Sequence, residues 1–143
     1  MAGWEYSKFQ NVPCAAEDCR HQGKGETMNR DANCIFCKII DKKIPSKIVH
    51  EDDVAIAFED VNPQAPVHLL IVPKKHMPEI HSITVADREI IGHLFFVARS
   101  IAAQKKLDHG YRMVINNGRD AGQTVFHVHL HLLSGRAFHW PPG

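Results

Sequence analysis

Apolar and polar positions change period three times along the chain, and the changes divide it into elements. Ile35, Phe36, Ile39 and Ile40 recur at the spacing of one helical stripe, so a short helix is predicted there, with Asn33 as its N-cap and Pro45 ending it. Three β-branched or alternating stretches follow at 47–50, 53–59 and 67–73. Asn62-Pro63 and Ala65-Pro66 break the chain between the last two. From Thr84 the period becomes helical again. Ile90, Leu94, Val97, Ala98 and Ile101 share one face, Thr84 and Asp87 are spaced as a capping box, and Gly110 marks the end. Two more strands, 111–116 and 125–133, flank a loop over 117–124 that contains Gly118 and Gly122. Five strands with one long and one short helix give an α+β domain on an antiparallel sheet.

Residues 1–30 show no sustained period and are read as a flexible N-terminal extension, which leaves 31–143 as one domain. Cys14, Cys19 and His21 fall in that extension. Their spacing suits part of a metal site, but they are read as incidental members of a mobile tail. The 143 residues, 44% of them hydrophobic, are enough for a real core. With 17 Lys plus Arg against 16 Asp plus Glu the net charge is +1, so no strong field draws the chain to nucleic acid or an anionic membrane. A small ligand fits better, and direct nucleic-acid binding is not expected. Apolar runs such as Leu69 to Val72 fall far short of the roughly 20 residues that span a bilayer, so no membrane segment is expected. The lack of a continuous apolar signal core argues for the cytosol or nucleus, where the four cysteines would stay reduced or bind metal.

The chemistry gathers near the C-terminus, in His127-Val128-His129-Leu130-His131. In an extended chain successive side chains point to opposite faces, so the three imidazoles share one face and Phe126, Val128, Leu130 and Leu132 take the other. Imidazole can ligate a metal, attack phosphorus or carry a proton near neutral pH. Neighbouring rings cannot all be cationic, so their titrations are coupled. The row by itself suits a metal-binding strand as well as a catalytic one. Just before it, Gly122 permits close backbone approach, and Gln123, Thr124 and nearby amides can donate to an anion, which makes a phosphate cradle. Cys34 and Cys37 lie one helical turn apart, a spacing that can begin a tetrahedral metal site.

The run from Gly122 to His131 resembles the histidine triad (HIT) superfamily, whose motif is His, apolar, His, apolar, His, two apolars. Three further stretches are similar to its Hint branch: Asp60 to His68, Ile71 to His76, and the ending His139-Trp140-Pro141-Pro142-Gly143. The resemblance covers the chain from about Cys34 to Gly143. It implies a purine nucleoside phosphoramidase that cleaves P–N bonds, as in adenosine 5′-phosphoramidate or aminoacyl-adenylate-like compounds, through a covalent nucleotidyl-histidine. By motif position His129 would be the nucleophile, with His131 and His68 as electrostatic and proton-handling partners. Thr124 stands where the family usually has Ser and keeps a hydroxyl near the leaving amine. Asp60 matches the ribose-binding carboxylate and Asn116 a residue near ribose and phosphate. Ile35, Phe36, Ile39, Ile44, Phe58 and Val61 hold the purine-pocket positions.

In relatives with the cysteine pair the resemblance also implies a structural zinc, held here by Cys34, Cys37, His76 and His127. It further implies a homodimer whose two sheets join and whose apolar tail, with Phe138 and Trp140, reaches towards the other subunit's active site. The expected ligands are AMP-type and GMP-type purine nucleoside monophosphate derivatives. Three other readings stay open. One is a dinucleoside polyphosphate hydrolase of the same superfamily. Another is a hydrolase whose three alternating histidines hold a catalytic ion. The last is a nucleotide-binding scaffold or sensor with little turnover.

Overall fold

The structure, a computed structural model, describes residues 29–143, so Cys14, Cys19 and His21 lie outside the described residues. The elements are α1 (Ile35–Ile40), β1 (Ile48–Glu51), β2 (Ala55–Glu59), β3 (Val67–Pro73), α2 (Arg88–Gln104), β4 (Tyr111–Val114) and β5 (Leu130–Ser134). The strands form one antiparallel sheet in the order β1-β2-β3-β5-β4. The expected α+β architecture is therefore present, and among the described residues no helix is long and apolar enough to cross a membrane.

Strand alternation sorts the core into two layers. Ala55, Ala57, Leu69, Ile71, Leu130 and Leu132 pack on one face against Leu94, Val97, Ala98 and Ile101 of α2. Ile56, Phe58, Leu70 and Val72 pack on the other against Phe36, Ile39 and Ile40 of α1. Because β2 and β3 are covered on both sides, their sequences read as continuous apolar runs rather than a clean alternation. His68, with the parity of Leu70, and His131, paired with Leu70, fall on the α1 face.

Several boundaries differ from the sequence reading. Cys34 rather than Asn33 is the N-cap of α1, and the helix ends before Pro45 because Lys42 turns left-handed (φ 59°). The Lys42 and Lys43 amides then close on the Ile39 and Lys38 carbonyls. α2 ends in the same way. Lys106 (φ 53°) and Leu107 donate to the Ala103 and Ala102 carbonyls, so the helix stops six residues short of Gly110, at Gln104. The Thr84–Asp87 capping box does form, on a 3-10 turn just ahead of α2; the Thr84 amide donates to Asp87 Oδ2 at 2.8 Å. β4 stops at Val114, and β5 begins at Leu130 rather than near 125. Pairing of β5 with β3 runs out at Ile71, because the Pro73 carbonyl is taken by the His127 side chain at 2.9 Å. Side-chain alternation nonetheless persists through 127–129. Val128 enters the α2-side core, and its amide donates to the Met77 carbonyl at 2.7 Å.

Candidate active site

His131 lies opposite Leu70 and His68 opposite Leu133, so the two imidazoles are diagonal neighbours on one face of the sheet. His68 Nε2 and His131 Nδ1 are 2.9 Å apart. The turn before β3 fixes which nitrogen carries the proton. The Gln64 main-chain N–H donates to His68 Nδ1 at 3.0 Å, so neutral His68 holds its proton on Nε2 and donates it to His131 Nδ1. His131 must then carry its own proton on Nε2. Asp60 Oδ2 lies 3.4 Å from His68 Nε2, while its Oδ1 accepts the Asn62 amide at 2.8 Å. Asp60 is therefore both a turn-former and a wall of the site.

His129 donates from Nδ1 to the His127 carbonyl at 2.7 Å, which leaves the lone pair on Nε2. Its ring is held between the edge contact of Phe36, at 5.1 Å between centroids, and His131 at 4.9 Å. Burial pushes all three imidazoles below their ordinary range. His131 comes down to about 4, helped by the neighbouring His129 and His68, whereas the Asp60 carboxylate only partly opposes burial at each. At pH 7 the trio is neutral.

A second cluster lies beneath the first. His127 is fully buried and donates from Nε2 to the Pro73 carbonyl at 2.9 Å, so its Nδ1 lone pair faces Cys34 Sγ at 3.4 Å and Cys37 Sγ at 3.6 Å. His76 Nδ1 is 3.4 Å from Cys37 Sγ and 3.2 Å from His127 Nδ1. The four ligand atoms lie within 4.8 Å of one another, a group that can hold a metal ion. Outer contacts support it: the Asp31 amide donates to Cys37 Sγ at 3.4 Å, and Asp31 Oδ2 is 3.9 Å from His76 Nε2. Burial raises the Cys37 thiol pKa, a cost that a coordinated cation would reverse.

Asp60, His68 and His131 also gather within the same limit, but their chemistry does not suit an ion. The Gln64 amide occupies His68 Nδ1, so the nitrogen facing the group carries a proton. Nor do the three alternating histidines converge on one ion. His127 turns to the cysteines, His129 to a main-chain carbonyl and His131 to His68.

A cavity of about 540 Å³ opens beside His129 and His131. Of the residues singled out from sequence, it is lined by Ile35, Phe36, Ile39, Ile44, Phe58 and Val61 on its apolar side, and by Asp60, His68, Gly122 and Thr124 on the other. Asn116, Gln123 and Trp140 do not line it. Asn116 stands behind Gly122, its Nδ2 3.8 Å from where a Cβ would be. The buried Gln123 is spent on the loop: its Oε1 accepts the Gly118 amide at 2.8 Å, and its Nε2 donates to the Pro78 and Val125 carbonyls at 2.8 and 3.2 Å. Trp140 is 86% exposed. Sequence reasoning missed Pro45, Ser46, Glu59, Asn62, Gln64, Leu70 and Val125 on the cavity wall. It also missed the Gln64 amide and the Pro73 carbonyl, main-chain groups that no residue type announces.

Comparison with known proteins agrees with this geometry. A family model described as the HIT domain matches residues 41–138. An uncharacterized HIT-like protein of Synechocystis is 54% identical over 109 residues, covering 76% of this chain and 96% of its own. A HIT family hydrolase from Legionella pneumophila superposes with a TM-score of 0.76 at 46% identity, covering 78% of this chain and 100% of its own. A histidine triad nucleotide-binding protein from Candida albicans gives 0.66 at 36%, covering 76% and 82%. With its three alternating histidines divided between that cavity and a buried cysteine–histidine cluster, this chain belongs to the HIT family.

Proposed function

We propose that the protein is a purine nucleoside phosphoramidase of the Hint branch, hydrolysing P–N bonds through a nucleotidyl-histidine. The observation that carries this reading is the 2.7 Å bond from His129 Nδ1 to the His127 carbonyl, which fixes a neutral ring with a lone pair on Nε2 beside the cavity. The hydrolase and nucleotide-binding relatives support the class of reaction.

The purine lies against Phe36, Ile39, Ile44 and Phe58, and Asp60 accepts hydrogen bonds from the ribose hydroxyls. His129 Nε2 attacks the α-phosphorus, and the P–N bond breaks as the P–Nε2 bond forms. The amine leaves with the proton from His131 Nε2, while the Thr124 hydroxyl stands near it. His131, left as an imidazolate whose charge is balanced by the cationic phosphoimidazole of His129, takes a proton from water; the hydroxide displaces neutral His129 from phosphorus, and AMP is released. His68 keeps His131 in the required tautomer throughout.

Zinc is the proposed occupant of the Cys34, Cys37, His76 and His127 cluster. Zn–S bonds of about 2.3 Å and Zn–N bonds of about 2.0–2.1 Å give tetrahedral edges of about 3.6 Å from sulfur to nitrogen and about 3.3 Å between nitrogens. The separations of 3.4, 3.4, 3.6 and 3.2 Å match those edges. Four protein ligands close the coordination shell, so the ion supplies cross-bracing and no substrate activation. A homodimer belongs to the same reading. β4 is an edge strand carrying the exposed Tyr111 and Met113, Phe95 and Phe96 of α2 are also exposed, and a partner covering them would let the Trp140 tail meet a second cavity.

Purified protein is expected to release AMP and amine from adenosine 5′-phosphoramidate, with much slower turnover of diadenosine tetraphosphate, and to scatter light as a dimer. Preferential cleavage of the dinucleotide would place the chain in the sister branch. No turnover of either compound would favour the sensor, and a 16.1 kDa particle at micromolar concentration would remove the dimer.

A further inference from the structure

Arg136, outside the cavity and just beyond β5, is bonded to the turn that sets the tautomers of the site. Its Nε donates to the Gln64 carbonyl at 3.0 Å, and its guanidinium stacks over the Phe138 ring at 4.3 Å. The adjacent Gly135 is pressed on the same turn: at φ 92°, a Cβ there would come within 2.7 Å of Pro66. Gln64 in turn gives its own N–H to His68 Nδ1 at 3.0 Å, and His68 Nε2 meets His131 Nδ1 at 2.9 Å.

We infer that Arg136 is a positioning residue that locks the His68–His131 pair into the tautomer with its proton on His131 Nε2. Hydrogen-bond parity enforces this. While the Gln64 amide occupies His68 Nδ1, neutral His68 can only be the Nε2–H form, and His131 must accept on Nδ1. Once residue 64 is free to swing away, His68 can move its proton to Nδ1 and accept from His131 Nδ1–H instead. His131 then turns a lone pair, not a proton, to the cavity. The whole row reverses with no change in charge and no movement of the rings. Under the reading proposed above, on which the catalytic part of this inference rests, the reversed row cannot protonate the departing amine.

The test is 15N NMR of the imidazoles in full-length protein with its metal, together with steady-state kinetics. In the wild type, His68 Nε2 and His131 Nε2 are expected to show protonated, pyrrole-like shifts and both Nδ1 atoms pyridine-like shifts. Arg136→Met keeps the aliphatic stem and removes the donor. It is expected to give mixed shifts at both residues and about a tenfold lower kcat for adenosine 5′-phosphoramidate, with KM within about twofold. Arg136→Lys, whose ammonium can still reach the Gln64 carbonyl, is expected to recover part of both effects. Arg112→Met removes the other cation over Phe138, 4.9 Å from its centroid, without touching Gln64, and is expected to leave the four shifts unchanged. Unchanged shifts in Arg136→Met would overturn the inference, as would equal shift changes in Arg112→Met. An inactive wild type with mixed shifts in Arg136→Met would uphold the tautomer lock and refute the phosphoramidase instead.

Discussion

Replacing His129 with asparagine is expected to lower kcat/KM for adenosine 5′-phosphoramidate by at least about 10⁴-fold, with the protein still folded, because removing a nucleophile abolishes the covalent route. Asparagine suits the site: its amide can still donate to the His127 carbonyl, so the bond at 2.7 Å has a substitute although the attacking nitrogen is gone. His131→Asn should behave differently. It leaves the nucleophile aimed but removes the acid and base, so turnover falls and a mass increment of one AMP collects on the peptide containing His129. An adduct on another residue, or a loss of less than tenfold in His129→Asn, would sink the covalent mechanism.

The wild-type pH profile follows from the same ring. Burial holds His129, the attacking ring, below its ordinary 6.5, so kcat/KM is expected to stay level as pH falls to 6.5 and to decline only at lower pH, where Nε2 takes up a proton. Stability has the same sign. The unfolded chain takes up a proton at His131 near 6.5 and the folded chain does not until about 4, so folding weakens as pH falls across that window.

The second large effect is expected from metal removal. Untagged protein prepared without chelator should carry close to one zinc per chain. Stripping it, or making Cys34→Ser together with Cys37→Ser, should lower stability by at least about 3 kcal/mol, roughly 10 °C in Tm for a domain of this size. The reason lies in how little else holds α1. It has six residues, no side-chain cap at Cys34 and no acidic residue in its first turn. Alone, so short a helix would not persist in water. Its two cysteines tie it to His76 and His127, and between them it carries Ile35 and Phe36 into the cavity wall. The stripped protein is therefore expected to show a raised KM for nucleotide as well. Metal content well under one per chain, with Tm unmoved in the double variant, would leave a pair of buried thiols and no zinc.

Much of this was legible from residue pattern because the pattern answers to side-chain burial. The two-residue period at 127–132 put the imidazoles on one face and Val128, Leu130 and Leu132 on the other, and that held even where 127–129 leave the ladder. Asp60, the apolar cavity candidates and the four metal candidates came together because their motif positions are fixed by the fold, whereas Asn116 and Trp140 stayed off the cavity wall. What was not legible was carried by the main chain. No residue type tells that Lys42 and Lys106, rather than a glycine, turn left-handed to end the helices. Gln123 looked like an anion donor because its amide is polar, yet burial commits that amide to the loop's own carbonyls. The row of proton positions from Gln64 to His131 depends on one main-chain N–H, which every residue but proline possesses.

Core registry also guards fidelity. His68 and His131 sit out of phase with Leu69, Ile71, Leu130 and Leu132, so a one-residue slip between strands would drive imidazoles into the hydrocarbon layer under α2 and strand leucines in their place. A mispaired chain would thus lose its interior and its chemistry in one stroke. Folded but miswired molecules are excluded by the same arithmetic that makes the sheet cohere.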